Sequence, residues 1–174
     1  SIKTGFISST SVGGMDVTEQ YFYEYLSNPA IQHFISSHDA GVSSQQIADY
    51  IGVKGFVSTI STACSSAANA IMLGARMIKA GKLDRVIVGG TDALSKFTMN
   101  GFNTLMILSD TYCQPFDRNR KGLNLGEAAA YIVLEAAHLV AKENKAVLGY
   151  VLGYGNANDA FHQTASSENG DGAF

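Results

Sequence analysis

A cysteine stands among small residues in the stretch TISTACSSAANAIML, residues 59 to 73. The β-branched residues before Cys64 favour a strand, and the alanines after it favour a helix. A thiol at such a junction lies beside free backbone N–H groups, at the positive end of the helix dipole. We expect that position to favour the nucleophilic thiolate form of a cysteine. The same N–H groups could bind the oxyanion that forms when a thioester carbonyl is attacked.

The alternative is that Cys64 is a small hydrophobic residue of the core, which is a common environment for cysteine. The residues around it leave both explanations open. The second cysteine, Cys113, forms no CxxC pair with it, and no His/Cys ligand spacing is present. The pattern therefore predicts neither a metal site nor a disulfide framework, and no organic cofactor is indicated. Cysteine usage of this kind favours a reducing compartment.

The composition restricts the possible partners of the chain. Its 174 residues carry a formal net charge of −3, and the lysines and arginines are scattered, so no nucleic acid is expected. The first residues, SIKTGF, lack the regions of a signal peptide, and no apolar run reaches membrane-spanning length. These features predict a cytoplasmic protein that does not bind a membrane.

Strand and helix patterns alternate along the chain, which predicts an α/β fold with buried parallel strands. The pair Asp16 and Glu19 resembles a capping box and predicts a helix start. Further helices are predicted over 43–52 and 65–79, and a helix or turn over 100–110. The other predictions are a strand running into a glycine turn over 5–14, strands over 55–62, 83–93 and 145–159, and a loop over 112–126. The stretch 127–140 could be helix or strand, since its YIVL run favours a strand and residues 135–144 favour a following helix.

The segment GFVSTISTACSSAANAI, residues 55 to 71, resembles the active-site signature of the β-ketoacyl-[acyl-carrier-protein] synthases, which are condensing enzymes of the thiolase superfamily. The matching positions are Gly55, Ile60, Ala63, Cys64, Ser65, Ser66, Ala67 and Ile71. Three more segments resemble that family in order and spacing. They are DRVIVGGTDAL at 84–94, QPFDRNRKGLNLGEAAAYIVLE at 114–135 and GYGNANDAFHQTASSENGDGA at 153–173.

This resemblance implies a thiolase-like fold, with the N-terminal half of a mixed, mostly parallel sheet and helices on both faces. Residues 1–145 would form that half, incomplete at its start, and residues 146–174 would begin the C-terminal half. The first strand of the family lies in the middle of the sheet and has no counterpart here. We therefore expect an open position in the sheet.

The resemblance also implies an activity. Cys64 would take an acyl group from an acyl-carrier-protein or coenzyme A thioester, and decarboxylative Claisen condensation with malonyl-carrier protein would follow, in fatty-acid or polyketide and polyene biosynthesis. Phe34 and Phe102 align with aromatic positions near the acyl pocket, Phe34 reaching across the dimer, although either could be a plain core aromatic. The strand before Cys64 would pair across a homodimer or a related heterodimer.

The chain departs from the family pattern in its histidines. The family uses motifs of the type HGTxTxxND and GHxxGAAG, and neither is present. We therefore expect these residues alone not to complete a condensation. Met106 stands where some members carry an arginine that docks the carrier protein. We interpret Glu127 as ordering the backbone around it, and Asp117 with Arg120 as a structural pair.

Two other functions remain as alternatives. The first is a non-catalytic partner subunit, similar to the chain-length factors that pair with these synthases. Such subunits typically lack the cysteine, so the presence of Cys64 favours the enzyme. The second is a thiolase or a coenzyme A-dependent synthase, and the segments around PFD and DAFHQT argue against it.

Overall fold

The computed structural model describes residues 1–162 and 165–173. Its strands are β1 (Thr4–Ser9), β2 (Val57–Ile60), β3 (Arg85–Asp92) and β4 (Ala128–Glu135). Its α-helices are α1 (Met15–Tyr21), α2 (Gln32–Ile35), α3 (Ala40–Tyr50), α4 (Ser66–Lys79), α5 (Lys96–Thr104) and α6 (Ala137–Glu143). Two short 3-10 turns, Pro29–Ile31 and Ser36–His38, flank α2.

The four strands form one mixed sheet in the order β2-β1-β3-β4. β1 runs parallel to β2 and β3, and β4 pairs antiparallel with β3. The parallel crossovers contain helices, α3 between β1 and β2 and α4 between β2 and β3, as such connections require. The predicted mixed, mostly parallel α/β sheet is confirmed.

Helices cover both faces of the sheet because alternate side chains of β1 point in opposite directions. Phe6 packs with Ala48 of α3 and with Val53 on one face. Ile7 packs with Ala70 of α4 and with Val88 on the other face. Helix α4 therefore sits on a buried apolar layer, and that layer fixes where its N-terminus lies.

The expected open position in the sheet is not found among the described strands. β1 pairs with β2 on one side and with β3 on the other, in continuous register. The parallel edges of β1 and β3 present complementary N–H and C=O groups, so they pair directly. The expectation of a gap is therefore wrong.

Two local predictions are also wrong. The predicted capping box does not form, because α1 begins at Met15, and its N-cap Gly14 makes no side-chain capping bond. The segment 145–159 is not a strand in the structure, although its apolar runs favour one. Leu148 and Leu152 are almost fully exposed. A strand needs a neighbouring strand to satisfy its backbone groups, and this segment pairs with none in the described sheet.

The ambiguous stretch near 127–144 forms β4 and then α6, as one of the two patterns indicated. Among the described residues, none of the helices has both the length and the apolar character needed to span a bilayer.

Candidate functional site

Cys64 lies in a tight turn between the end of β2 and the start of α4. The residue before it, Ala63, has φ of 52°. This left-handed conformation costs an ordinary L-residue roughly 1–2 kcal/mol, so the surrounding contacts must hold it. A sharp, strained strand-to-helix turn presents the next side chain outward, and this geometry also occurs at nucleophile elbows. Cys64 is exposed, so it is not a buried core cysteine.

Ser66, the first residue of α4, stabilises the turn through hydrogen bonds of its buried side chain. Its hydroxyl is buried and donates to the carbonyl oxygen of Ala63 at 2.6 Å. The Ser66 hydroxyl oxygen in turn accepts the N–H of Thr62 at 2.8 Å. The Ser66 N–H also donates to the Ala63 carbonyl, at 3.1 Å. One serine therefore bonds to the backbone of the two residues preceding the cysteine.

A second set of hydrogen bonds links the turn to the end of β1. The Asp92 carboxylate accepts the Thr10 hydroxyl at 2.7 Å, the Ser11 N–H at 2.7 Å and the Ser11 hydroxyl at 2.9 Å. The Ser11 hydroxyl also lies 3.3 Å from the Ala63 carbonyl oxygen. The carboxyl ends of β1 and β3 are thus tied to the turn that carries the thiol.

Asn69, one turn into α4, links the same loop to a distant part of the chain. Its amide nitrogen donates to the Thr62 hydroxyl at 2.8 Å and approaches the Ser65 hydroxyl at 3.3 Å. Its amide oxygen accepts the side-chain N–H of Asn156 at 3.1 Å. The segment after α6 therefore reaches the helix behind Cys64.

The N-terminus of α4 receives no side-chain cap. Ser65 is its N-cap residue, but the Ser65 hydroxyl donates to the Thr62 carbonyl at 2.8 Å and caps no helix N–H. Because the Ser66 N–H already bonds to the Ala63 carbonyl, the N–H groups of Ala67 and Ala68 are the ones left for a group bound beside Cys64. The buried apolar face of α4 holds these donors in place on the sheet.

The two predicted pocket aromatics lie on other helices. Phe34, on α2, stacks on Tyr21 of α1 with ring centroids 4.7 Å apart, and its ring is partly exposed. Phe102 is half-buried on α5. Helix α1 packs against both α2 and α5, whereas α4 packs on the sheet. The helices of the two phenylalanines therefore pack on one element, α1, and not on α4.

The other singled-out residues have local structural contacts. The Glu127 carboxylate accepts the N–H of Leu94 at 3.0 Å, and this bond fixes the turn after β3. The Arg120 guanidinium donates to the main-chain carbonyl of Asp117 at 2.9 Å. The Asp117 carboxylate accepts the Asn119 N–H at 2.6 Å. The pairing of Asp117 with Arg120 therefore runs through the backbone and not through two charged groups.

Sequence reasoning missed the bracing residues Ser11, Asn69, Asp92 and Asn156. Two of them leave a signal in the sequence. Asn69 is a poor helix former inside a run of alanines, and Asp92 is an acidic residue at the end of a buried strand. Ser11 and Asn156 have no such signal, because their partners lie 52 and 87 residues away.

Comparison with known proteins gives a consistent set of matches. Residues 2–139 match the family described as beta-ketoacyl synthase, N-terminal domain. The chain is 32% identical over 172 residues to nodulation protein E of Rhizobium meliloti, covering 97% of this chain and 43% of that protein. It is 30% identical over 184 residues to 3-oxoacyl-[acyl-carrier-protein] synthase 2 of Rhizobium meliloti strain 1021, covering 99% of this chain and 44% of that protein.

A solved structure also matches over nearly the whole chain. It is that of a ketosynthase in complex with its chain length factor from Xenorhabdus doucetiae, with a TM-score of 0.82 and 34% identity. The match covers 99% of this chain and 42% of that chain. The present chain thus spans less than half the length of the proteins it resembles.

Proposed function

This chain belongs to the β-ketoacyl synthase family, and on that premise we propose that Cys64 accepts an acyl group from a thioester. The observation that carries the proposal is the place of the thiol. It is exposed on a braced, strained turn, beside the uncapped N-terminus of a helix of 14 residues. That geometry offers a nucleophile and oxyanion donors to the same carbonyl group.

The acyl transfer needs no reactant other than the Cys64 thiol and the thioester. The Cys64 thiolate attacks the thioester carbonyl carbon, and the carbonyl oxygen becomes an oxyanion that faces the free N–H groups of α4. The tetrahedral intermediate then collapses, breaks the bond to the donor sulfur and leaves an acyl group on Cys64. The departing thiol, from a carrier-protein phosphopantetheine arm or from coenzyme A, takes the proton that Cys64 lost.

For the whole protein we propose that decarboxylative Claisen condensation follows. Malonyl-carrier protein would lose carbon dioxide, and the resulting carbanion would attack the acyl carbon and expel the Cys64 thiolate. Fatty-acid and polyketide or polyene pathways use the same chemistry. Phe34 and Phe102 are proposed to line the acyl pocket, with residues 1–145 as the N-terminal half of the synthase and 146–174 as the start of its second half.

Mass spectrometry with acyl-coenzyme A tests the acyl transfer. We expect one acyl group on the wild-type chain and on Cys113→Ala, and none on Cys64→Ala. Cys113 is a matched control because it is also exposed. Iodoacetamide should modify Cys64 much faster than Cys113, since the helix dipole favours an anion at its N-terminus. Equal slow labelling of both cysteines and no acylation would instead support a non-catalytic partner subunit.

A partner subunit is proposed at the free edge of β2. This strand pairs with β1 on one side, and in the described sheet it is an edge strand. An exposed edge presents unpaired backbone groups that a second strand can satisfy. We propose a homodimer or a related heterodimer through this edge, and sedimentation velocity should show twice the chain mass. A monomer at all concentrations, alone and with a homologous subunit, would contradict it.

A further inference from the structure

We propose that Glu19 is a positioning residue for the acyl pocket, through its hold on the helix that carries Phe102. This inference rests on the proposed acyl-accepting function. Glu19 lies on α1, and its two carboxylate oxygens accept the N–H groups of Lys96 and Phe97, at 2.7 Å and 3.0 Å. These are the first two N–H donors of α5, from a residue 77 positions earlier in the chain.

The N-terminus of α5 is fully occupied by these bonds. Ser95, its N-cap residue, accepts the N–H of Thr98 at 3.1 Å. The first three donors of α5 therefore bind side-chain oxygens, two of them on Glu19. A carboxylate at this end also interacts favourably with the helix dipole.

Helix α5 has no fully buried side chain to hold it beside this anchor. The packing that usually seats a helix is therefore weak here. The helix packs against α1, whose side chains are also not fully buried. Glu19 thus holds together two elements that share little buried apolar surface.

Phe102 lies six residues after Lys96, which is about 9 Å along a helix. A helix moves as a unit over that distance, so a shift or tilt of its N-terminus displaces the Phe102 ring. Glu19 and Tyr21, which stacks on Phe34, are both on α1. One short helix therefore sets the positions of both proposed pocket aromatics.

The experiment compares acylation of Cys64 by acetyl-coenzyme A and by decanoyl-coenzyme A. For Glu19→Ala and Glu19→Gln we expect the ratio of the two rate constants to change by about twofold to thirtyfold, the range that corresponds to the loss of a helix cap. Glutamine keeps one acceptor but turns an N–H₂ group toward an N–H donor. Alkylation by iodoacetamide should stay at the wild-type rate, because this small reagent does not occupy the pocket.

Two further variants make the test specific. Glu24→Ala removes an exposed carboxylate of the same region and should leave the ratio unchanged. Phe102→Ala should change the ratio, and adding Glu19→Ala to it should have little further effect, because the two act through one element. A full additional effect in the double variant, or a wild-type ratio in Glu19→Ala beside a changed ratio in Phe102→Ala, would overturn the role of Glu19.

A spectroscopic readout separates this inference from the proposed function. With 4-fluorophenylalanine at position 102, Glu19→Ala should shift the fluorine resonance and Glu24→Ala should not. An unchanged resonance in Glu19→Ala overturns the positioning role, whatever the acylation result. A shifted resonance in a chain that accepts no acyl group would leave the link between Glu19 and α5 intact and refute the acyl-accepting function.

Discussion

Ala63 carries the backbone strain that presents the thiol. Its φ of 52° is unusual for a residue with a β-carbon, and its side chain is exposed, so side-chain packing does not select it. The bonds from the Ser66 hydroxyl and N–H to its carbonyl oxygen hold the conformation, and the Ser11 hydroxyl lies 3.3 Å from the same oxygen. The position of the thiol therefore depends on a strained backbone conformation, and serine hydroxyls stabilise that conformation.

Substitution of Ala63 tests that account. Ala63→Val places a β-branched residue in the left-handed region, and we expect a loss of about 2 kcal/mol in the free energy of unfolding. Ala63→Gly should be neutral or stabilising by up to about 1 kcal/mol, because glycine adopts this conformation freely. Urea denaturation measures both changes.

The control for branching is Ala141→Val, at an exposed position of α6. It should cost only the helix-propensity difference, about 0.6 kcal/mol. An equal cost at positions 63 and 141 would contradict the claim that backbone strain is stored at the turn.

Helix α4 follows directly after the Cys64 turn, and it packs closely against the sheet. A β-carbon added at Gly74 would lie 2.6 Å from Val88 Cγ1 and 3.0 Å from Val86 Cγ1. The absence of a side chain there lets α4 approach β3. The N-terminus of α4, and the turn before it, are positioned by that approach.

Gly74→Ala is expected to destabilise the protein by about 1–2 kcal/mol, because the clash with two valines outweighs the gain in helix propensity. Gly101→Ala in α5 is the matched control, since a β-carbon there meets nothing within 4 Å. That variant should be more stable than wild type by roughly 0.5–1 kcal/mol. Thermal unfolding separates the two cases, and a stabilised Gly74→Ala would refute the close packing of α4 on β3.

At the scale of the whole molecule, a charged network joins β3, β4 and the end of α6. Lys145 Nζ contacts Glu135 Oε1 at 2.8 Å and Glu143 Oε2 at 2.7 Å, and Arg85 contacts both carboxylates. The hydrogen bond from Lys145 is the main cause that lowers the pKa of Glu135, with Arg85 adding to it against the opposing effect of burial. The hydrogen bond to Glu135, followed by that to Glu143, raises the pKa of Lys145.

These shifts predict how stability depends on pH. A carboxylate with a lowered pKa stabilises the fold above its ordinary value of 4.5, and the stabilisation disappears as the pH falls through the folded-state value. Lys145 has a raised pKa, so its contribution is present below 10.5 and is lost as the pH rises through the folded-state value. Glu135→Gln should therefore lower the Tm at pH 7, and the difference from wild type should shrink in strong acid.

Glu24→Gln, at an exposed position, is the control and should leave the Tm unchanged at every pH. A difference between Glu135→Gln and wild type that stays constant from pH 7 to pH 2 would show that charge is not the cause.

The sequence by itself determined the α/β class, the family and the junction at Cys64, because each depends on short local patterns and on their order along the chain. The β-branched residues before Cys64 and the alanines after it predicted β2 and α4 within a few residues. Only the tertiary structure decided the partner of Glu19, the direct pairing of β1 with β3 and the lack of a strand over 145–159. The same holds for the bracing of Ala63 by Ser11 and Asp92. These features depend on which edges and side chains meet across 50 to 80 residues of chain, and no local pattern encodes such a meeting.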